Sequence, residues 1–298
     1  MNRKIYITII IFFSVFFIGC GEGIVDINDI SYEPKIVVEA MIYPGQKVNN
    51  VKISQNFPLT NSYVDKLNIY ISNAEVYIYS GQQKYQLTYD PVTKSYYYAG
   101  NDFVIDFNKT YRLEVKATID GKNLFCSAET YTPAENLIVD VNKTIKNDDT
   151  IRYRSNKLPI VTFKPISNIN FYPIANTFVE KADSLSFISE NIFGLEYKDI
   201  KDKIVDYKER YTWLQNIKDV SFFISKSLDW FDFIFYGKYK LTLYAANQDY
   251  QSYLLTASRT QEIDGNFHEP RFNILGDGIG YFASAVKFEV EYYLLPAK

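Results

Sequence analysis

Polar and apolar residues alternate with a period of two through much of the chain. Tyr111, Leu113, Val115, Ala117 and Ile119 take every second position, with Arg112, Glu114, Lys116 and Thr118 between them. That spacing puts one set on a buried face and the other in water, so a half-buried strand is expected. Asp120-Gly121 follows, a pair suited to the two positive φ angles of a type I′ hairpin turn. The return strand is read from Asn123 to Tyr131, with Leu124, Cys126 and Ala128 on one face. Further strands are read upstream at 35–42, 49–55, 74–80, 85–89 and 95–99. Pro44-Gly45, Ser80-Gly81 and Asp90-Pro91 punctuate them.

Short strands at this spacing predict an immunoglobulin-like β-sandwich over 35–133, although the Cys…Trp…Cys pattern of an antibody domain is absent. Thr132-Pro133 is read as its boundary. Residues 134–298 are expected to form a second β-rich domain with one or two helices, giving a mainly β chain. Strands are read there at 137–141, 159–165, 239–245 and 285–294. Tyr197, Ile200, Ile204, Tyr207, Tyr211 and Leu214 recur at spacings of three and four, which predicts a helical stripe. A second helix is expected from an Asn247 cap through Gln261, with Tyr250, Tyr253, Leu254 and Ala257 turned to the core.

The first residues follow a different pattern. Arg3 and Lys4 precede an apolar run from Ile5 to Ile18, closed by Gly19-Cys20. The run is shorter than the roughly 20 residues of a membrane span and has the layout of an export signal. Phe17-Ile18-Gly19-Cys20 resembles the lipobox of bacterial lipoproteins, with Phe17 where Leu is usual. The resemblance implies a signal peptide over 1–19, lipid on Cys20 and a tether over 20–34. Gly21 after the cysteine implies export to the outer membrane. The expected address is lipid-anchored there, on the periplasmic face or the cell surface. Related lipoproteins of Bacteroidetes reach the surface through an acidic run, and only Glu22 stands close here.

Composition narrows the chemistry. The formal net charge is −3 and no basic block exists, so nucleic acid is not an expected partner. Lipid on Cys20 leaves Cys126 as the one remaining cysteine, so no disulfide is expected. Cys126 falls mid-strand on an apolar face and reads as a small buried hydrophobe. His268 is the lone histidine, in a loop, and any Ser-His-Asp or Cys-His site would need it. One histidine and one cysteine do not make a zinc site. Asn147-Asp148-Asp149 lacks the glycine and trailing glutamate of an EF-hand. Residues 273–280 are glycine-rich without the pattern of a dinucleotide or phosphate loop, and read as a tight turn with close backbone approach. No catalytic residue, cofactor or metal is expected. A carboxylate-based hydrolase is the enzyme alternative. The 27 Tyr and 22 Phe fit large sheet faces. An exposed aromatic cluster, with Trp213 or Trp230, would instead mark a glycan or peptide platform.

Four segments carry a wider likeness. They are Glu33 to Ala40; Lys109 to Val115 with Asp120-Gly121-Lys122 and Pro133; Asp249 to Tyr253; and Glu269-Pro270, Asn273-Ile274 and Gly278 to Ala283. In this order they resemble a family of Bacteroidetes outer-membrane lipoproteins, domain of unknown function four-two-four-nine. Residues 140–235 lie outside those segments. Members commonly stand beside TonB-dependent receptors. The resemblance implies a non-catalytic accessory or binding component of a TonB-dependent nutrient uptake system. A stand-alone surface glycan- or peptide-binding lipoprotein is the alternative. Asp149-Thr150-Ile151 and Asp183-Ser184-Leu185 resemble a Bacteroidetes O-glycosylation motif, which implies Thr150 and Ser184 as acceptors.

Overall fold

The computed structural model describes residues 32–57, 69–217, 221–257 and 270–297. Pro34–Asn56 and Leu67–Lys298 belong to one compact unit. Its first strands are β1 (Ile36–Ile42), β2 (Lys52–Gln55), β3 (Glu75–Ser80), β4 (Gln83–Gln86), β5 (Thr88–Asp90), β6 (Ser95–Tyr97), β7 (Thr110–Ile119) and β8 (Lys122–Tyr131). There follow β9 (Ile138–Val139), β10 (Asp149–Arg152), β11 (Ile160–Lys164), β12 (Phe171–Phe178), β13 (Glu209–Gln215), β14 (Ile224–Ser227), β15 (Gly237–Ala246), β16 (Leu275–Gly276) and β17 (Gly278–Leu295). Helices α1 (Tyr197–Ile200) and α2 (Ile204–Lys208) precede β13, and α3 (Gln248–Ala257) follows β15. The chain is mainly β, as its alternation predicts.

The principal sheet has the order β13-β12-β15-β17-β1-β2, with β10 also paired to β17. A second sheet runs β16-β8-β7-β3-β4. The β7–β8 hairpin turns at Asp120-Gly121, whose φ angles of 50° and 76° meet the type I′ requirement. Its alternation is realised: Tyr111, Leu113, Val115, Ala117 and Ile119 are all buried.

The 18-residue β17 ties the molecule together. Gly278 to Ser284 pair in parallel with β1, and Ala285 to Leu294 pair antiparallel with β15. Its inward side chains serve two cores. Phe282 joins Val38, Val76, Leu113 and Val115 in one cluster. Val286, Val290, Tyr292 and Leu294 join Phe163, Ile174, Leu241 and Phe235 in another. The strands of 35–133 therefore do not complete a core from that segment alone, because β1 sits beside the last strand of the chain.

Two local expectations need correction. The helical stripe ends at Lys208, and Tyr211 and Leu214 lie on β13. Pairing with β12 over Phe171 to Thr177 supplies the backbone partners, and Tyr211-Thr212-Trp213 suits a strand. Gly278-Ile279-Gly280 opens β17 and is not a tight turn. The close backbone approach read from it is present, against Val38.

Many of the tyrosines anchor loops. Tyr96 donates to the Ile71 carbonyl at 2.7 Å and accepts from the Ala74 N–H at 2.9 Å. Tyr239 does the same to both backbone groups of Phe235, at 2.8 and 3.1 Å. Tyr292 donates to Asn176 Oδ1 at 2.7 Å. Each ring fills core volume while its hydroxyl satisfies a buried polar group, which phenylalanine could not do.

Candidate functional site

The outward face of the principal sheet carries the candidate site. Strand alternation turns Glu39 and Met41 of β1, and Tyr43 just after it, to the side opposite Val38, Ala40 and Ile42. The same rule turns out Lys240 and Tyr244 of β15, and Tyr281, Lys287 and Glu289 of β17. Register brings them together: Glu39 stands opposite Tyr281, Tyr244 opposite Lys287, and Glu39 opposite Lys52 of β2. Tyr211 arrives from β13 by way of Ala175.

Small residues then decide the shape. Ala246, Ala283 and Ala285 leave room for α3 to lie on the face, where Tyr250 packs over them. The helix begins at Asn247, whose Oδ1 accepts the Tyr250 N–H at 3.4 Å. The cap read from the sequence is therefore present. The helix covers only part of the face. Beside it lies a cleft of about 400 Å³, lined by those residues together with Gln46, Asn49 and Asn50.

Five phenols converge there: Tyr43, Tyr211, Tyr244, Tyr250 and Tyr281. Tyr250 and Tyr281 meet edge to face at 5.5 Å, and Tyr253 meets Tyr281 at 4.6 Å. Lys287 Nζ lies 5.3 Å from the Tyr43 ring centroid, within cation–π range. Burial raises all five hydroxyls above the ordinary tyrosine value. The neighbouring phenols add to this, and so do Glu289 at Tyr43 and Glu39 at Tyr281. Tyr250 is pushed up to about 12, with a hydrogen bond from Tyr211 opposing the rise. The phenols thus stay neutral at physiological pH, each able to donate and accept.

One carboxylate on the face is paired with two lysines. Glu289 lies 3.0 Å from Lys287 and 3.6 Å from Lys240. Burial acts to raise its carboxyl, but the two lysines outweigh that and hold it below the usual range.

Other residues singled out in the sequence fall elsewhere. Cys20 and His268 lie outside the described residues. Cys126 is buried in the core of the second sheet's strands, and burial pushes its thiol up to about 12, with Asp277 adding to the rise. Such a thiol is a packing group and not a nucleophile. Asn147 and Asp149 serve the turn before β10, accepting the Glu291 and Lys146 N–H groups at 2.9 and 3.1 Å. Thr150 and Ser184 are exposed. Trp213 lies on the face that bears the cleft, packed with the α3 cluster. Trp230 instead packs at 5.4 Å against buried Tyr153 and belongs to the core. Among the described residues, no group of three or more His, Cys, Asp or Glu gathers as a metal site. No described helix is long and apolar enough to cross a membrane.

The five tyrosines escaped the sequence reading as a group. Tyr244 and Tyr281 each adjoin a core residue and so must face outward. Their meeting depends on the parallel β1–β17 pairing, which no local pattern announces.

A family profile for Domain of unknown function (DUF4249) matches residues 24–289. No curated protein matches the chain.

Proposed function

The chain belongs to the family described as Domain of unknown function (DUF4249), and from that premise we propose a non-catalytic lipoprotein of the outer membrane. It is held by lipid on Cys20 and binds ligand beside a TonB-dependent receptor during nutrient uptake. The observation that carries this reading is the cleft. Its volume of about 400 Å³ falls within the 300–1,000 Å³ or so typical of small-ligand sites. It combines partly exposed aromatic rings with convergent polar groups, the make-up of a binding site. Glu289 is paired with two lysines and the phenols are held neutral, which suits recognition better than proton transfer.

Extraction of the tagged chain from its own outer membrane, in mild detergent, tests the accessory role. Mass spectrometry is expected to find a TonB-dependent β-barrel in stoichiometric amount. Lipidated chain recovered alone, from membranes that contain the barrel, would remove that role and leave stand-alone capture of a glycan or peptide.

A further inference from the structure

We infer that the tyrosine cleft takes a neutral, polyhydroxylated ligand, a short segment of a glycan chain. The inference rests on the reading of the protein as a ligand-binding component and names the class of ligand at that site.

Three features of the cleft select this chemistry. First, its phenols are amphiprotic. Tyr43, Tyr244 and Tyr281 can each donate one hydrogen bond and accept others. Sugar hydroxyls have the same dual character, so either partner can take either role. A carboxylate or phosphate would use only the donors, and an ammonium only the acceptors. Second, the carboxylate at the centre of the site is already engaged. Glu289 sits between Lys240 and Lys287, at 3.6 and 3.0 Å. A charged group placed against Glu289 or its two lysines would have to displace one member of these pairs and leave the other uncompensated. A hydroxyl group needs no displacement, because it can accept from a lysine and donate to a glutamate at once. Third, the rings of Tyr43, Tyr244 and Tyr281 are partly exposed. Buried Tyr250 meets Tyr281 edge to face and holds it in place, and the apolar C–H face of a sugar ring can lie on such a fixed surface at little entropic cost.

The test uses the mature chain in detergent and isothermal titration with three probe sets. These are short neutral oligosaccharides of glucose, mannose, xylose and galactose; oligomers of galacturonic acid; and mixed short peptides. Tyr244→Phe and Glu289→Gln are titrated in parallel, with thermal melting as the check on folding. The expected result is saturable binding of a neutral oligosaccharide that high salt leaves unchanged. Each variant should weaken it by about tenfold, the effect of losing one well-formed hydrogen bond to the ligand. Salt-sensitive binding of the uronate or peptide set alone, weakened by the same variants, would overturn the ligand class while the binding role stands. Neutral-glycan binding untouched by both folded variants would overturn the site. Failure of all three sets to bind would overturn the ligand-binding role and this inference together.

Discussion

Gly280 lies so close to Val38 that a β-carbon added to it would sit 2.0 Å from the Val38 carbonyl oxygen. The two residues face each other in the parallel β1–β17 register. The φ of Gly280, +106°, is also one that other residues rarely adopt. This glycine therefore sets how closely the first and last strands approach. Gly280→Ala is expected to destabilise the fold by about 3 kcal/mol or more, in the tail reserved for steric and backbone strain. Gly45→Ala is the comparison. Gly45 has a φ of +80° but open space around it, so its cost should be about 1–2 kcal/mol. Denaturant midpoints decide the matter: equal losses in the two variants would mean that contact with Val38 is not what requires the glycine.

A buried polar junction holds α3 to the β8 end of the second sheet. Asn247 Nδ2 donates to Thr130 Oγ1 at 2.6 Å and to Asp249 Oδ2 at 2.7 Å, and the Thr130 hydroxyl donates to the same carboxylate at 3.0 Å. Burial raises the Asp249 pKa, and the hydrogen bonds from Thr130 and Asn247 oppose the rise without cancelling it. A carboxyl with a raised folded value favours folding while protonated. As pH rises, the unfolded chain loses this proton first, so Asp249 lowers stability from its ordinary value of 3.8 up through its folded value. Asp249→Asn should remove that fall, so the variant loses less stability than the wild type between acid and neutral pH. Asn247→Ala should cost about 2–4 kcal/mol, through the lost cap and two unsatisfied buried groups, and more where Asp249 is ionised, because the lost hydrogen bond favours the carboxylate. Chemical denaturation over a pH series checks both. Parallel pH profiles for wild type and Asp249→Asn would refute the first.

The tyrosines with buried hydroxyls should make the protein sensitive to alkali. Burial pushes Tyr172 up to about 12, and Tyr239 and Tyr292 are raised as well. Above the ordinary value near 10, the unfolded chain gives up its phenol protons while the folded chain keeps them. Stability therefore falls as pH rises through the window between the unfolded and folded values. Spectrophotometric titration should show a normal class of tyrosines ionising near pH 10, and a second class that ionises only as near-ultraviolet circular dichroism is lost. A single class titrating near 10 with the fold intact would contradict the burial of these hydroxyls.

The features legible in the sequence are those that depend on neighbours in the chain. Asp120-Gly121 dictates its turn from two residues, and Asn247 announces its helix by capping it. Cys126 was placed in the core by strand alternation alone. The misread segment is Glu209–Gln215, where spacings of three and four imitated a helix. Short helices are marginal by themselves, and the β12 edge offered a full ladder of hydrogen bonds. The β1–β17 pairing was invisible for a different reason. It joins residues from opposite ends of the chain, and strand periodicity reveals which face is buried but not which strand lies alongside. The candidate site inherits that limit. Tyr43, Tyr244 and Tyr281 each look like an ordinary outward residue until the sheet order is known. The four segments behind the family likeness meet in space: Val38, Leu113 and Phe282 share one core, and Tyr250 packs against Tyr281. They build the junction under the cleft and do not supply most of its lining.

The proposed anchor gives the most direct test of location. Cys20 lies outside the described residues, so the expectation stands on Phe17-Ile18-Gly19-Cys20 and the apolar run before it. Each buried methylene of an acyl chain contributes about 0.8 kcal/mol, so several chains on one residue make attachment effectively permanent. Cys20→Ala should therefore move the protein out of the outer-membrane fraction, while the wild-type protein stays there through a high-salt wash. Intact mass measurement of the wild type should find a chain that starts at residue 20 and carries acyl groups. Protease added to whole cells then separates the two faces of the membrane. Digestion would mean surface display without an acidic run after the cysteine, and protection would mean the periplasmic face. A Cys20→Ala protein that remains membrane-bound after the wash would show that something other than lipid holds it, and the lipoprotein reading would fall.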